Sequence, residues 1–291
     1  MEVIILSYTI LKKAQVAPNE YDIWIKAPQI ATHAKAGQFV IVMADENSER
    51  IPLTIADTDE KEAIRVIYQV VGTSTEKLAR LAEGDAISNC AGPLGKPSEI
   101  PRGKQTLVIG GGVGIAAILT IIKTLKEKGN HVTTILGSRD SEHLILEDEI
   151  RQIADETLVY TDDGSTGKKG MVTDGMKALF ETGKQFDAAW AVGPTIMMKF
   201  CSLVAKEQDL LIWTSLNPIM IDGTGMCGGC RVKVKDTIKY ACVDGPEFDG
   251  RYVDWDILMN RQKQYLKEES ESKHVCKLGG INPSQSKEGE S

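Results

Sequence analysis

The sequence predicts a chain of mixed class, α/β plus all-β. It has an N-terminal antiparallel β-barrel, a central Rossmann-like parallel sheet and a small irregular lobe near the C-terminus. Three observations carry this. Residues 1–98 hold short β-rich runs broken by glycine, aspartate and asparagine. After Pro101-Arg102-Gly103 the runs alternate with helical patterns, which implies a parallel sheet covered on both faces. From about Leu216 to Gly250 glycine and cysteine dominate, too irregularly to extend that sheet as another strand–helix unit. The units are expected at 1–98, 99–215 and 216–253, followed by a helix over 254–270 and a polar tail, 271–291, expected to be disordered.

In chain order, the apolar start of Met1–Gln15 lacks the basic segment and small-residue cleavage site of a secretory signal and reads as a first strand. Gln38–Met43 and Ala63–Tyr68 are further strands of the barrel. The second unit opens with strand Thr106–Ile109, a glycine loop and a helix from about Ile115 through Lys128. Strand His131–Leu136, a helix around Leu146–Ala154, strand Thr157–Thr161, a helix near Asp174–Thr182 and strand Ala188–Val192 follow. Trp255, Leu258, Met259 and Tyr265 recur at helical spacing after the lobe. There is no internal repeat.

Length and composition exclude several classes. The chain has 291 residues, 42% of them hydrophobic and 26% charged, as in globular proteins with ordinary cores. A net charge of −7 supplies no broad positive field, which argues against nucleic-acid binding. The apolar stretch from Thr106 to Leu125 contains Gly110-Gly111-Gly112 and reads as strand, turn and helix rather than a membrane span. No membrane contact and a cytoplasmic location are expected. Three of the six cysteines, Cys227, Cys230 and Cys242, crowd into one glycine-rich segment, so metal binding is favoured over disulfides. Cys90 and Cys201 read as core residues and Cys276 falls in the tail.

The segment Asp222-Gly-Thr-Gly-Met-Cys227-Gly-Gly-Cys230, with Cys242 beyond it, has the x4, x2, distal-ligand spacing of a plant-type [2Fe–2S] site, with aspartate in the first place. Glycines at that spacing allow positive φ and inward-pointing amides around a compact cluster. The other readings are a loop cap at Asp222 and a zinc site or buried thiols at the cysteines.

The strand ending at Ile109 runs into Gly110-Gly111-Gly112-Val113-Gly114 and then a helix, the arrangement that lets a pyrophosphate approach a helix N-terminus. Gly110 and Gly112 fit the first two positions of G-x-G-x-x-G. Ile115 stands at the third, and no acidic residue follows at the usual distance for holding a ribose. Ser138 and Arg139, Asp162-Asp163-Gly164, and Gly193, Pro194 and Met197 each follow a predicted strand, so all should line the same sheet edge, where ligands of open α/β sheets bind. Arg139 leaves NADH or NADPH open.

Together these units resemble the ferredoxin–NADP reductase superfamily, and within it the branch of dihydroorotate dehydrogenase electron-transfer subunits. Closer still is the family of small subunits of NADH-dependent reduced ferredoxin:NADP oxidoreductases, also known as sulfide dehydrogenase subunits. The resemblance is carried by Arg50-Ile-Pro-Leu-Thr-Ile-Ala-Asp57, Gly92-Pro93-Leu94-Gly95, Ser215–Met220, the Asp222 motif and Cys242–Asp249. It implies FAD in the barrel, against the strand Ile51, Pro52, Leu53 and Thr54. Ile67, Tyr68 and Gln69 would form the second flavin strand. Gly72, Thr73, Ser74 and Thr75, opening a helix, would form a pyrophosphate cradle or a plain helix cap. Gly92, Pro93 and Leu94 would lie where nicotinamide and flavin meet. The family's arginine position holds Ile51, and Arg50 one residue earlier should point to the opposite face. The resemblance further implies hydride exchange between NAD(H) and FAD and single-electron exchange with the [2Fe–2S] cluster. The partner would be a larger flavoprotein with FAD and [4Fe–4S] clusters, reaching ferredoxin indirectly by electron bifurcation. No acid–base catalyst is expected, because hydride transfer needs orientation rather than proton transfer.

Overall fold

The structure, a computed structural model, describes residues 8–269. Met1–Ser7 of the predicted first strand, the tail 271–291 and Cys276 lie outside the described residues. The first unit runs β1 (Tyr8–Ala17), β2 (Glu20–Lys26), α1 (Pro28–Ala31), β3 (Phe39–Met43), β4 (Ile51–Thr54), β5 (Asp57–Thr58), β6 (Ala63–Gln69), α2 (Thr73–Arg80), β7 (Ala86–Ile87) and β8 (Asn89–Leu94). All pairings are antiparallel, in a five-stranded sheet ordered β5-β6-β2-β1-β7 and a three-stranded sheet ordered β4-β3-β8. Alternation along the strands turns Ile23, Ile25, Ile64, Val66 and Tyr68 into one shared core.

The second unit is β9 (Gln105–Gly111), α3 (Gly114–Glu127), β10 (His131–Ser138), α4 (Glu147–Ile153), β11 (Glu156–Thr161), β12 (Lys168–Lys169), α5 (Val172–Glu181), β13 (Ala188–Val192), α6 (Thr195–Glu207) and β14 (Ile212–Ser215). The predicted strands fall where they were expected. The helix α6 was not foreseen, and Met197, expected only to follow the strand Ala188–Val192, is inside it. In the sheet order β12-β11-β10-β9-β13-β14, the order of strands reverses between β9 and β13, the crevice where open sheets take ligands. One apolar layer, from Ile115 to Leu125 of α3 with Val132 and Trp190, fills one face. Met176, Leu179, Cys201 and Val204 fill the other.

The last unit is β15 (Arg231–Val234), β16 (Thr237–Tyr240), α7 (Ala241–Asp244), β17 (Glu247–Asp249) and α8 (Trp255–Gln262). It departs from the expected separation in one respect. Glu247–Asp249 adds an antiparallel edge strand to the nucleotide sheet, with Ser215 opposite Glu247 and Trp213 opposite Asp249. Only three residues pair, too few for a period to show in sequence. The lobe's core is shared too: Phe39 and Ile41 of the barrel and Met198 of the second unit pack with Leu216, Cys230, Cys242, Phe248 and Trp255.

Arg65 ties barrel to nucleotide unit, binding Asp22 at 2.8 Å and Glu149 at 2.9 Å. Lys123 of α3 reaches Asp57 at 2.5 Å. Among the described residues no helix is long and apolar enough to cross a membrane.

Candidate functional site

The loop Ile221–Cys230 folds against the barrel. Gly223, Gly225 and Gly228 have φ of 77°, 82° and 68°, values that need glycine. A Cβ at Gly223 would stand 2.7 Å from Leu94 Cδ1 and 2.8 Å from Ile41 Cδ1, so the loop lies directly on β8 and β3. Arg50 Nε donates to Ile221 O at 2.8 Å. That fits the alternation argument: Arg50 points away from the face of Ile51 and braces the cysteine loop.

Within the loop the ligand candidates form two pairs. Asp222 Oδ1 accepts from Thr224 N at 2.9 Å and Oδ2 from Cys227 N at 2.8 Å. These amide bonds, that of Thr224 foremost, hold its carboxyl below the usual carboxylate range. Cys230 and Cys242, each 1% exposed, bring their sulfurs to 3.2 Å. Burial first, then Cys230 and Asp222, push the Cys242 thiol up to about 12. Cys227 is exposed at the rim. Among the described residues no three His, Cys, Asp or Glu side chains are gathered so as to share one ion. Two pairs suit a two-iron cluster, in which bridging sulfides leave each iron two protein ligands, better than one tetrahedral zinc. The cap at Asp222 does not oppose ligation, since a carboxylate has about four lone-pair sites and ligating carboxylates are themselves hydrogen-bonded. Cys90 and Cys201 are core residues at 2% and 0% exposure, as expected, and burial pushes both thiols up to about 12.

At the sheet crevice the glycines have separate tasks. Gly112 has φ +53° and open space where a Cβ would project. A Cβ at Gly114 would lie 2.5 Å from Val192 O and 2.7 Å from Gly193 Cα, so α3 starts in backbone contact with the end of β13. At Gly110 it would be 2.7 Å from Ile118 Cδ1. The close-packing task expected of a glycine at position 115 is therefore performed by Gly110 and Gly114. No side chain caps α3 at Val113. Met197 lies against Gly111 and Gly193 and also reaches the lobe's core. Asp162 N and Asp163 N donate to Ser138 O and Arg139 O at 3.1 and 3.2 Å, so these predicted residues do share one edge, beside Gly164. Pro194 precedes α6 there. Beyond the end of β10 the first acidic residue is Asp140, two residues on.

In the barrel, Ile51–Thr54 and Asn89–Leu94 flank β3, with Thr54 and Leu94 both paired to Phe39. Ser74 Oγ accepts from Glu49 N at 3.1 Å, joining the start of α2 to the approach of β4. Thr75 Oγ1 accepts from Val71 N and Gly72 N at 3.0 and 3.1 Å, which is a cap, while Gly72 faces open space. Thr73 heads the helix beside it. Tyr68 is 1% exposed and stacks on Tyr21 in the core, so only its backbone is available to a ligand. Ile67 packs toward the nucleotide unit's core, and Gln69 donates to Glu20 at 3.2 Å. Gly92 and Gly95 are clamped: a Cβ would stand 2.7 Å from Val40 Cγ1 at Gly92 and 2.8 Å from Pro246 Cδ at Gly95. The strand Ile51–Thr54, the sheet crevice and the cysteine loop thus converge on one junction.

Comparison with known proteins agrees with this layout. Residues 217–254 match the iron–sulfur cluster binding domain of dihydroorotate dehydrogenase B, and residues 108–202 match the oxidoreductase NAD-binding domain. The electron transfer subunit homolog of dihydroorotate dehydrogenase B (NAD(+)) from Thermotoga maritima is 54% identical over 89% of this chain and 92% of its own. The corresponding subunit of Desulforamulus reducens is 34% identical over 85% and 97%. The solved structure of an NADH-dependent reduced ferredoxin–NADP oxidoreductase, a flavin-based bifurcating enzyme, superposes with a TM-score of 0.87 at 51% identity, over 92% of this chain and 96% of that one. Phthalate dioxygenase reductase, at 16% identity and TM-score 0.57, shares the fold. The chain therefore belongs to the dihydroorotate dehydrogenase B electron-transfer-subunit family of oxidoreductases, with an NAD-binding domain and an iron–sulfur domain.

Proposed function

We propose that this chain is the NAD(H) side of an electron-bifurcating NADH- and ferredoxin-dependent NADP oxidoreductase, working in the cytoplasm beside a larger flavoprotein subunit. The observation that carries the reading is the packing of the cysteine loop, through Gly223, on Leu94 and Ile41 of the barrel, in the same core that Met197 of the nucleotide crevice reaches. FAD in the barrel supplies hydride exchange with NAD(H) and its conversion to single electrons, which a [2Fe–2S] cluster relays outward.

The chain's own residues bind and orient. Ile51–Thr54, the backbone of Ile67–Gln69 and the open start of α2 at Gly72–Thr75 hold FAD, with Gly92–Leu94 at the nicotinamide end. Gly110–Gly114, Ser138, Arg139, Asp162–Gly164, Gly193, Pro194 and Met197 line the NAD(H) crevice. Asp222 with Cys227, and Cys230 with Cys242, are the two ligand pairs. The exposure of Cys227 and of Met226, the latter at 89%, supports a cluster side that faces the partner.

Purified chain should contain FAD and about two iron atoms, and anaerobic NADH should bleach its visible bands. A colourless protein carrying zinc would overturn the reading in favour of a non-redox nucleotide-binding module. The second reading, an electron-transfer subunit of a dihydroorotate or sulfide dehydrogenase, is favoured by the 54% identical relative. Co-purification decides between them: a partner with FAD and [4Fe–4S] clusters supports the first, and a dihydroorotate-oxidising partner supports the second.

A further inference from the structure

Arginines are placed unevenly with respect to the cysteine loop. In a chain of net charge −7, Arg65, Arg80, Arg139, Arg151 and Arg251 each pair with a carboxylate. Arg50, Arg231 and Arg261 form no ion pair among the described residues, and each of them touches the loop. Arg50 Nε, from the barrel, donates to Ile221 O at 2.8 Å. Arg231 Nη1 stands 3.2 Å from where a Cβ on Gly228 would project. Arg261 Nη2, in the last turn of α8, donates to Gly229 O at 3.0 Å.

Of the three, Arg261 is the most closely engaged. Its Nε is buried without a partner. With Ile219, Ile221 and Tyr265 it lines a cavity of about 40 Å³, and such apolar walls screen a charge far less than water does. The carbonyl it holds lies between two ligand candidates: Gly229 N donates to Cys227 Sγ at 3.4 Å, and the peptide that carries Gly229 O also carries the amide of Cys230. Reduction by a single electron adds a negative charge to a cluster, so a nearby cation with no carboxylate to neutralise it stabilises the reduced form more than the oxidised form. A guanidinium does not deprotonate in proteins, which makes this field permanent.

We propose that the unpaired guanidiniums of Arg50, Arg231 and Arg261 raise the reduction potential of the cluster, with Arg261 contributing most. They act on the cluster through the loop, as positioning residues with a charge, and tilt the electron equilibrium between flavin and cluster toward the cluster. This rests on the assignment of Asp222, Cys227, Cys230 and Cys242 to a [2Fe–2S] cluster.

The test is anaerobic potentiometric titration of the purified, cofactor-loaded chain, followed by EPR of the reduced cluster, with iron content and Tm measured in parallel. Arg261→Gln removes the charge and should lower the reduced-to-oxidised ratio at fixed ambient potential by roughly tenfold, a midpoint about 59 mV more negative. Arg261→Lys keeps the charge without the planar fork and should stay near the wild-type midpoint. Arg231→Gln, at an exposed position, should shift the midpoint in the same direction by less. A simple brace needs the hydrogen bond and not the charge, so equal midpoints in the Gln and Lys variants of Arg261, or loss of iron from both, would overturn the proposal. Iron lost from Arg261→Gln alone, with Arg261→Lys at the wild-type midpoint and the expected shift in Arg231→Gln, would support it. Wild-type chain that binds no iron would overturn the cluster assignment itself.

Discussion

Asp222 is the residue at which two roles meet. Its oxygens each accept one loop amide, which fixes the turn before Cys227, and each retains acceptor capacity toward a metal. On the proposed ligand assignment, removing the side chain loses a cap and a ligand together, and replacing it by cysteine loses mainly the cap. We expect Asp222→Cys to retain the cluster with a changed reduction potential, and Asp222→Ala to yield a labile cluster or one completed by solvent. Potentiometry, EPR and iron content of the two variants check this, and wild-type values in both would leave Asp222 as a cap alone. Arg50 belongs to the same scale. Its bond to Ile221 O makes it a brace for the loop that carries Asp222.

The contact between the start of α3 and the end of β13 is the element on which the nucleotide crevice depends. Gly114 is required by space and Gly112 by conformation, and the two requirements separate experimentally. A methyl at Gly114 would meet Val192 O at 2.5 Å, a backbone atom that cannot rotate aside. Gly114→Ala should lower stability by about 1–3 kcal/mol and weaken NADH binding. Gly112→Ala meets nothing within 4 Å but must hold φ +53°, at a cost of roughly 1–2 kcal/mol. Thermal unfolding and NADH titration of both variants check the pair. Unchanged Tm and affinity for Gly114→Ala would mean that helix and strand have room to part.

At the scale of the whole molecule, Glu247 is where barrel, nucleotide sheet and lobe touch. Oε1 accepts from Ser98 Oγ at 2.8 Å, Oε2 is buried without a partner, and the strand pairs with β14. Burial raises its carboxyl from 4.5 to about 7. The folded state therefore binds this proton more tightly than the unfolded chain. The contribution to stability is present below about pH 4.5 and is lost as pH rises through about 7. Between pH 5 and 8 the wild type should lose about 1–3 kcal/mol more than Glu247→Gln. Tm measured across that range checks it, and parallel curves for the two proteins would show that the carboxyl is solvated.

Sequence by itself determined whatever is local in period or spacing. The alternation in Ala63–Gln69, the strand–glycine–helix order around Gly110–Gly114 and the Asp222–Cys230 interval each follow from backbone geometry that a few neighbouring residues impose. The barrel, the parallel sheet and the cysteine lobe were legible for that reason. Tertiary structure alone decided which of these segments meet. Tyr68 lies in a strand correctly read, yet its ring is in the core, because the facing sheet fixes which side is inside. Glu247–Asp249 becomes a sheet strand by pairing with β14, a partner more than 30 residues away. Long-range pairing of short segments leaves no period in the sequence, so the junction that joins β4, the nucleotide crevice and the cysteine loop emerges only from the packed molecule.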